Sequence, residues 1–146
     1  MIDPQKTNLL ESIELLFYAY RAFTTQPDQI LADRGLSRTH HRLLYFVGRN
    51  PNISVNALRE ILGVSKQAMN APLRQLMAHK LIEGVTAEHD KRVKELKLTK
   101  TGLELERRLT ETQIKQLTEV FDQCGDKAAD QWRKVMRALS QSNVKI

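Results

Sequence analysis

Two serines, Ser54 and Ser65, each head a short stretch with the apolar spacing of a helix, and only Gly63 and Val64 separate the first stretch from the second serine. Serine is a favoured N-cap, because its hydroxyl accepts from a free backbone N–H in the first turn, and glycine is a favoured stop. VNALREIL therefore reads as a helix with Val55, Leu58, Ile61 and Leu62 inward, ended by Gly63. SKQAMNAPLRQLMAHK reads as a second, with Met69, Leu73, Leu76 and Met77 inward and Gln67, Asn70, Ala71 and Arg74 on the opposite face. This pair is a helix-turn-helix.

The runs LIEGVTAE and RVKELKLT follow, joined through His89, Asp90 and Lys91, with Leu96 and Leu98 spaced to share one sheet face. That hairpin is a wing. Upstream, Leu9, Ile13, Leu16, Phe17, Tyr20 and Phe23 mark an amphipathic helix from about Thr7 to Thr25, interrupted at Pro27 and stopped at Arg34-Gly35. Ser37 caps a helix with Leu43, Leu44, Phe46 and Val47 inward, closed at Asn50-Pro51. Downstream, Thr99 caps a long pattern through Leu105, Leu109, Leu117, Val120, Phe121 and Cys124 to Gly125, and a last helix carries Trp132, Val135, Met136 and Leu139. The expected fold is mainly α with a small β-wing: residues 1–35 an N-terminal dimerisation region, 36–102 a winged helix-turn-helix lobe, and 103–146 C-terminal dimerisation helices, all one structural domain. The terminal helices carry more apolar residues than a small lobe can cover, so a homodimer is expected.

Charge sharpens this reading. Residues 36–102 hold twelve Lys/Arg against five Asp/Glu, whereas residues 1–35 hold three against five and 103–146 eight against seven. A basic centre between nearly neutral flanks suits a polyanion. No run approaches the roughly 18 apolar residues of a membrane span, and MIDPQKTNLLES lacks the basic-then-apolar start of a secretory signal, so a cytoplasmic chain without membrane partners is expected.

In a helix-turn-helix the second helix enters the major groove, where Gln67, Asn70 and Arg74 are types that reach base edges: Gln and Asn pair with adenine, Arg with guanine. Ser65 and Lys66, at the helix start, are placed to grip phosphate. In the wing, Arg92 with Lys91 beside it can enter the minor groove or hold the backbone, with Asp90 orienting Arg92 rather than binding. Pro72, inside the reading helix, removes a backbone bond to Ala68 and is either a tolerated bend or one that aims Lys66 to Asn70 into the groove.

From Leu36 to Gly102, ISVNALREILGVSKQAMNAPLRQLMAHKLIEG and DKRVKELKLTKTG resemble the MarR family of regulators, the second stretch being similar to its wing signature of Asp-x-Arg followed by Leu-Thr-x-x-Gly. The resemblance implies a triangular dimer held by both chain ends, recognition helices in successive major grooves, wings at the minor groove, and often a small-molecule pocket between the dimer helices and the lobe. One departure is Ala87, where the signature often has a further Asp three positions before Asp90. The candidate effector pocket comprises Phe17, Tyr20, Phe23 and Tyr45 with Arg21 and His41 as polar anchors. The expected function is a ligand-responsive repressor or activator on a pseudo-palindromic double-stranded operator; the alternative is a winged-helix protein-interaction module with no DNA role. His40-His41 lacks the company of a metal site, Cys124 reads as a buried core residue, and no nucleophile–base pair or phosphate loop is present, so no catalytic residues, metal or cofactors are expected.

Overall fold

In the computed structural model, residues 3–142 are described. They form α1 (Pro4–Ala32), α2 (Arg38–Arg49), β1 (Ile53–Ser54), α3 (Val55–Leu62), α4 (Lys66–Ala78), β2 (Ile82–Thr86), β3 (Lys94–Leu98), α5 (Lys100–Cys124) and α6 (Ala128–Gln141). The chain divides into two compact units, the boundary falling between Gln113 and Ile114 within α5. No helix among the described residues is long and apolar enough to cross a membrane.

In the first unit, Leu31 of α1, Leu43, Leu44 and Val47 of α2, Leu58 of α3, Met69 and Leu76 of α4, Leu96 of β3, and Leu105 and Leu109 of α5 bury one shared core. The three strands lie in the order β1, β3, β2, all antiparallel, with Ile53 and Gly84 both opposite Leu96. Strand β1 has only two residues. It is too short to show a period of two, which is why the sequence announces a hairpin and not a third strand.

Helix α1 corrects the expected break at Pro27, for it runs unbroken from Pro4 to Ala32. Asp3 caps it, Oδ1 accepting from the Gln5 N–H at 3.0 Å. An interior proline forfeits one backbone bond and costs about 3 kcal/mol; here Thr24, Pro27 and Leu31 are all buried, and that burial offsets the loss. The stop falls where expected, with Gly35 at φ +69°. Ile61 is a smaller departure: it was expected inward, and it lies 46% exposed. In the second unit, Phe121 packs edge-on against Trp132 with centroids 5.6 Å apart, while Cys124 is exposed and not the buried core residue expected. It occupies the last position of α5, just ahead of the turn at Gly125.

The wing joins the core at one crowded point. Thr99 N–H donates to the Leu81 carbonyl at 3.0 Å, its hydroxyl donates to the Lys80 carbonyl at 2.6 Å, and the same hydroxyl accepts from the Gly102 N–H at 3.0 Å. A Cβ at Gly102 would stand 1.9 Å from the Leu81 oxygen. This gives the Leu-Thr-x-x-Gly pattern a physical reason, a cap followed by a helix turn that must touch strand backbone. Helix propensity alone would make Gly102→Ala stabilising by about 1 kcal/mol. The contact reverses the sign: Gly102→Ala should destabilise by at least about 2 kcal/mol in urea unfolding, and a rise in the midpoint would contradict the packing described.

Candidate nucleic-acid interface

The surface that the sequence singles out is built on α4. Ser65 is its N-cap, Oγ accepting from the Ala68 N–H at 3.1 Å, and Gly63 turns the chain from α3 with φ +62°. Met69, Leu73 and Leu76 bury one side of the helix, so Lys66, Gln67, Asn70, Ala71 and Arg74 are left exposed. The helix is continuous through Pro72. Its start therefore presents backbone N–H groups, a lysine and two amide side chains to solvent, the set a polyanion with hydrogen-bonding base edges requires.

The second part of the surface is the wing tip. Arg92 N–H donates to Asp90 Oδ1 at 2.9 Å, and its guanidinium forks onto both carboxylate oxygens at 3.1 Å each. The turn is closed by Val93 N–H donating to the Asp90 carbonyl at 3.0 Å. The Arg92 guanidinium and backbone N–H hold the Asp90 carboxyl below its ordinary range. The Asp90 side chain is 30% exposed and that of Arg92 90%, so the fork holds the guanidinium against the turn while leaving it open to solvent. Lys91 beside it is exposed.

Comparison with known proteins bears directly on this surface. Residues 34–93, the segment carrying α2 to the wing tip, match the sequence profile of the MarR family. The chain is also 39% identical over 131 residues to the HTH-type transcriptional regulator PetP of Rhodobacter capsulatus, spanning 90% of this chain and 79% of that protein. The chain belongs to the MarR family. Solved structures share its fold: Streptococcus pneumoniae FabT, solved in complex with DNA, superimposes with a TM-score of 0.78 at 21% identity over 95% of this chain and 96% of that one. NadR, solved in complex with 4-hydroxyphenylacetate, gives a TM-score of 0.73 at 19% identity, with 88% of this chain and 91% of that one covered.

Within this MarR-family chain, Ala87 has a structural reason. It is buried and its N–H donates across the hairpin to the Val93 carbonyl at 2.9 Å. The ion-paired brace that the structure shows at this turn is that of Asp90 with Arg92.

Of the residues expected at an effector pocket, the structure brings only some together. Tyr20 reaches α2, its hydroxyl accepting from Arg42 Nη2 at 2.6 Å while the Arg38 guanidinium lies 5.1 Å from its ring centroid. Phe23 and Tyr45 are half-buried, and Tyr45 packs edge-on against Phe46 with Arg49 over its ring. Phe17 is exposed, and Arg21 keeps to its own helix over the rings of Phe17 and Tyr18. His41 is buried. The sequence reading misses the roles of two further residues: His40, there weighed only as a metal ligand, is also buried, accepts from the Ser37 N–H through Nδ1 at 2.9 Å, and has Nε2 2.6 Å from Gln75 Oε1 on α4. The available signal was Ser-x-x-His at the head of α2, with His in the place that Glu or Gln takes in a capping box. The other was Glu106, which is 2% exposed on α5 and accepts from both Arg49 at 2.9 Å and Thr110 at 3.0 Å.

Burial pushes the His41 imidazole below its ordinary value of 6.5, against the pull of Glu106 and Asp28. With the folded value depressed, the unfolded chain takes up the proton first, so neutral His41 contributes stability fully above pH 6.5 and loses it as pH falls towards the folded value. Urea midpoints measured from pH 8 to 5 should therefore fall more steeply for the wild type than for His41→Gln. Parallel curves would remove His41 from the acid response.

Proposed function

We propose that this chain is a homodimeric regulator that reads a pseudo-palindromic operator, placing α4 of each subunit in a major groove and each Arg92 at the adjoining minor groove or backbone. The observation that carries this reading is the pairing of an amide-and-cation face on α4 with a strutted cation at the wing tip. Ser65 and Lys66 grip phosphate at the helix start, Gln67, Asn70 and Arg74 read base edges, and Lys91 and Arg92 supply wing cations with Asp90 as orienting partner. A winged helix used only for protein contact would be expected to expose apolar side chains there, and α4 exposes polar ones. The work of such a regulator lies in the cytoplasm, and none of its residues is assigned a catalytic role.

The dimer reading rests on apolar residues exposed on the terminal helices. On α1, Leu9, Ile13, Leu16 and Phe17 are 61%, 67%, 45% and 63% exposed; on α6, Val135 and Leu139 are 63% and 52% exposed. Such rows of apolar side chains at helical spacing call for a partner, and a second copy supplies the matching surface. An effector reading also has its own observation. Arg38 and Asp28 form an ion pair at 2.7 Å beside Tyr20, and the second carboxylate oxygen of Asp28 and Nε of Arg38 have no partner, leaving an acceptor and a donor for a small polar aromatic molecule.

Three comparisons test the assignment. Arg74→Ala should cost about 1–3 kcal/mol on an operator selected from genomic fragments and much less on random duplex, whereas Lys66→Ala should weaken both. Equal losses for Arg74→Ala on the two DNAs would remove its base-reading role. Arg92→Ala, a change at a side chain that is 90% exposed and bonded only within its own turn, should leave the fold intact and flatten the log–log salt slope by about 2, one phosphate neutralisation per wing. Asp90→Ala should give a weaker form of that defect, and the double variant should be little worse than Arg92→Ala. A folded Arg92→Ala dimer with unchanged affinity and slope would falsify the wing's role. Removal of residues 1–24 should abolish the dimer in sedimentation; a stable, well-folded dimer without them would take α1 out of the interface.

A further inference from the structure

A buried ring of α2, His40, touches an exposed amide of α4, Gln75, beside the surface described above. Because the Ser37 backbone N–H can only donate, Nδ1 of His40 must be the accepting nitrogen, at 2.9 Å. The neutral imidazole then carries its hydrogen on Nε2, which donates to Gln75 Oε1 at 2.6 Å. His40 is 6% exposed, whereas Gln75 lies on the exposed side of α4 next to Arg74. With Oε1 engaged by the buried ring, the amide nitrogen, Nε2 with its two hydrogens, is the end left to donate elsewhere.

We propose that Gln75 is a further DNA contact, a neutral donor to a backbone phosphate, and that His40 is the positioning residue that aims it. Position around the helix sets Gln75 apart from the base-reading residues: one residue is about 100° of turn, so Gln75 stands to one side of Arg74, towards α2, at the edge of the face that carries Gln67, Asn70 and Arg74. Chemistry agrees: bidentate pairing of a glutamine with adenine needs both the amide oxygen and the amide nitrogen, and here the oxygen is already taken. A glutamine so held does not read adenine; it donates.

The proposal rests on the DNA-binding reading above, and wild-type binding to random duplex separates the two. Gln75→Ala should weaken the folded dimer on operator and random duplex alike by about tenfold, with the salt slope unchanged because an amide releases no counterion. Gln75→Glu keeps an acceptor for His40 but turns a carboxylate oxygen towards phosphate, so it should bind both DNAs more weakly than Gln75→Ala. His40→Leu should lose affinity to the extent that Gln75→Ala does, the double variant should be no weaker than Gln75→Ala, and His40→Gln, which can both accept and donate, should restore binding. Circular dichroism and sedimentation establish that each variant is folded and dimeric; if His40→Leu is not, the contrast between Gln75→Ala and Gln75→Glu decides alone. Wild-type affinity in both Gln75 variants overturns the contact, a loss confined to the operator overturns the phosphate assignment, and additive losses at positions 40 and 75 overturn the aiming role. A wild-type protein that binds neither duplex overturns the DNA-binding reading beneath it.

Discussion

The arrangement of reading helix and wing depends on the backbone of Lys80 and Leu81. Helix α4 ends there with Leu81 N–H donating to the Leu76 carbonyl and Lys80 N–H to that of Met77, at 2.9 and 3.0 Å, while Lys80 takes φ +59°. That is the geometry of a helix closing through a left-handed residue, at a cost a lysine bears and a glycine would not. The carbonyls of the same two residues then receive Thr99, and the Leu81 carbonyl lies against Gly102. Four elements, the end of α4, the start of β2, the end of β3 and the start of α5, thus meet on two peptide units. The end of the reading helix is thereby tied directly to the base of the wing.

On this frame, the polar surface divides its labour by burial. Groups that aim are partly or wholly covered: Asp90 at the wing, and His40 behind Gln75 on α4. Groups that project are exposed, Arg92 and the Lys66 to Arg74 face among them. A carboxylate in a basic tip would repel phosphate on its own; forked by a guanidinium it restricts the rotamers of the cation instead. The same logic applies to Glu106, whose buried carboxylate is matched by Arg49 and Thr110 and so fastens α2 to α5. These are local, short-range matches, and each leaves the net positive charge of the lobe intact for its long-range effect.

Much of this was legible in the sequence because it is encoded by local rules. Serine caps, glycine stops and periods of 3.6 or two residues located α3, α4, the hairpin and the outward face of α4, and a charge count is enough to find the basic excess in residues 36–102. What was illegible depends on contacts between distant residues. Pro27 looks like a break until the burial of its own surface is known, and β1 is too short to have a period. Cys124 has the sequence context of a core residue and is exposed in the single chain. Gln75 was passed over because its partner, His40, lies thirty-five residues earlier, and Arg21 and His41, paired as anchors on sequence grounds, belong to different surroundings, one stacked on α1 and one buried in α2.

The central claim is that one frame carries a reading helix and a wing to duplex DNA as a symmetric pair. Hydroxyl-radical footprinting of the wild-type protein on a genomic fragment selected for binding tests it most directly. The account predicts two protected segments related by a dyad and centred about 10 base pairs apart, each flanked by weaker protection where a wing meets the neighbouring minor groove. A single unsymmetrical footprint, or protection of the two segments without flanking protection, would contradict it.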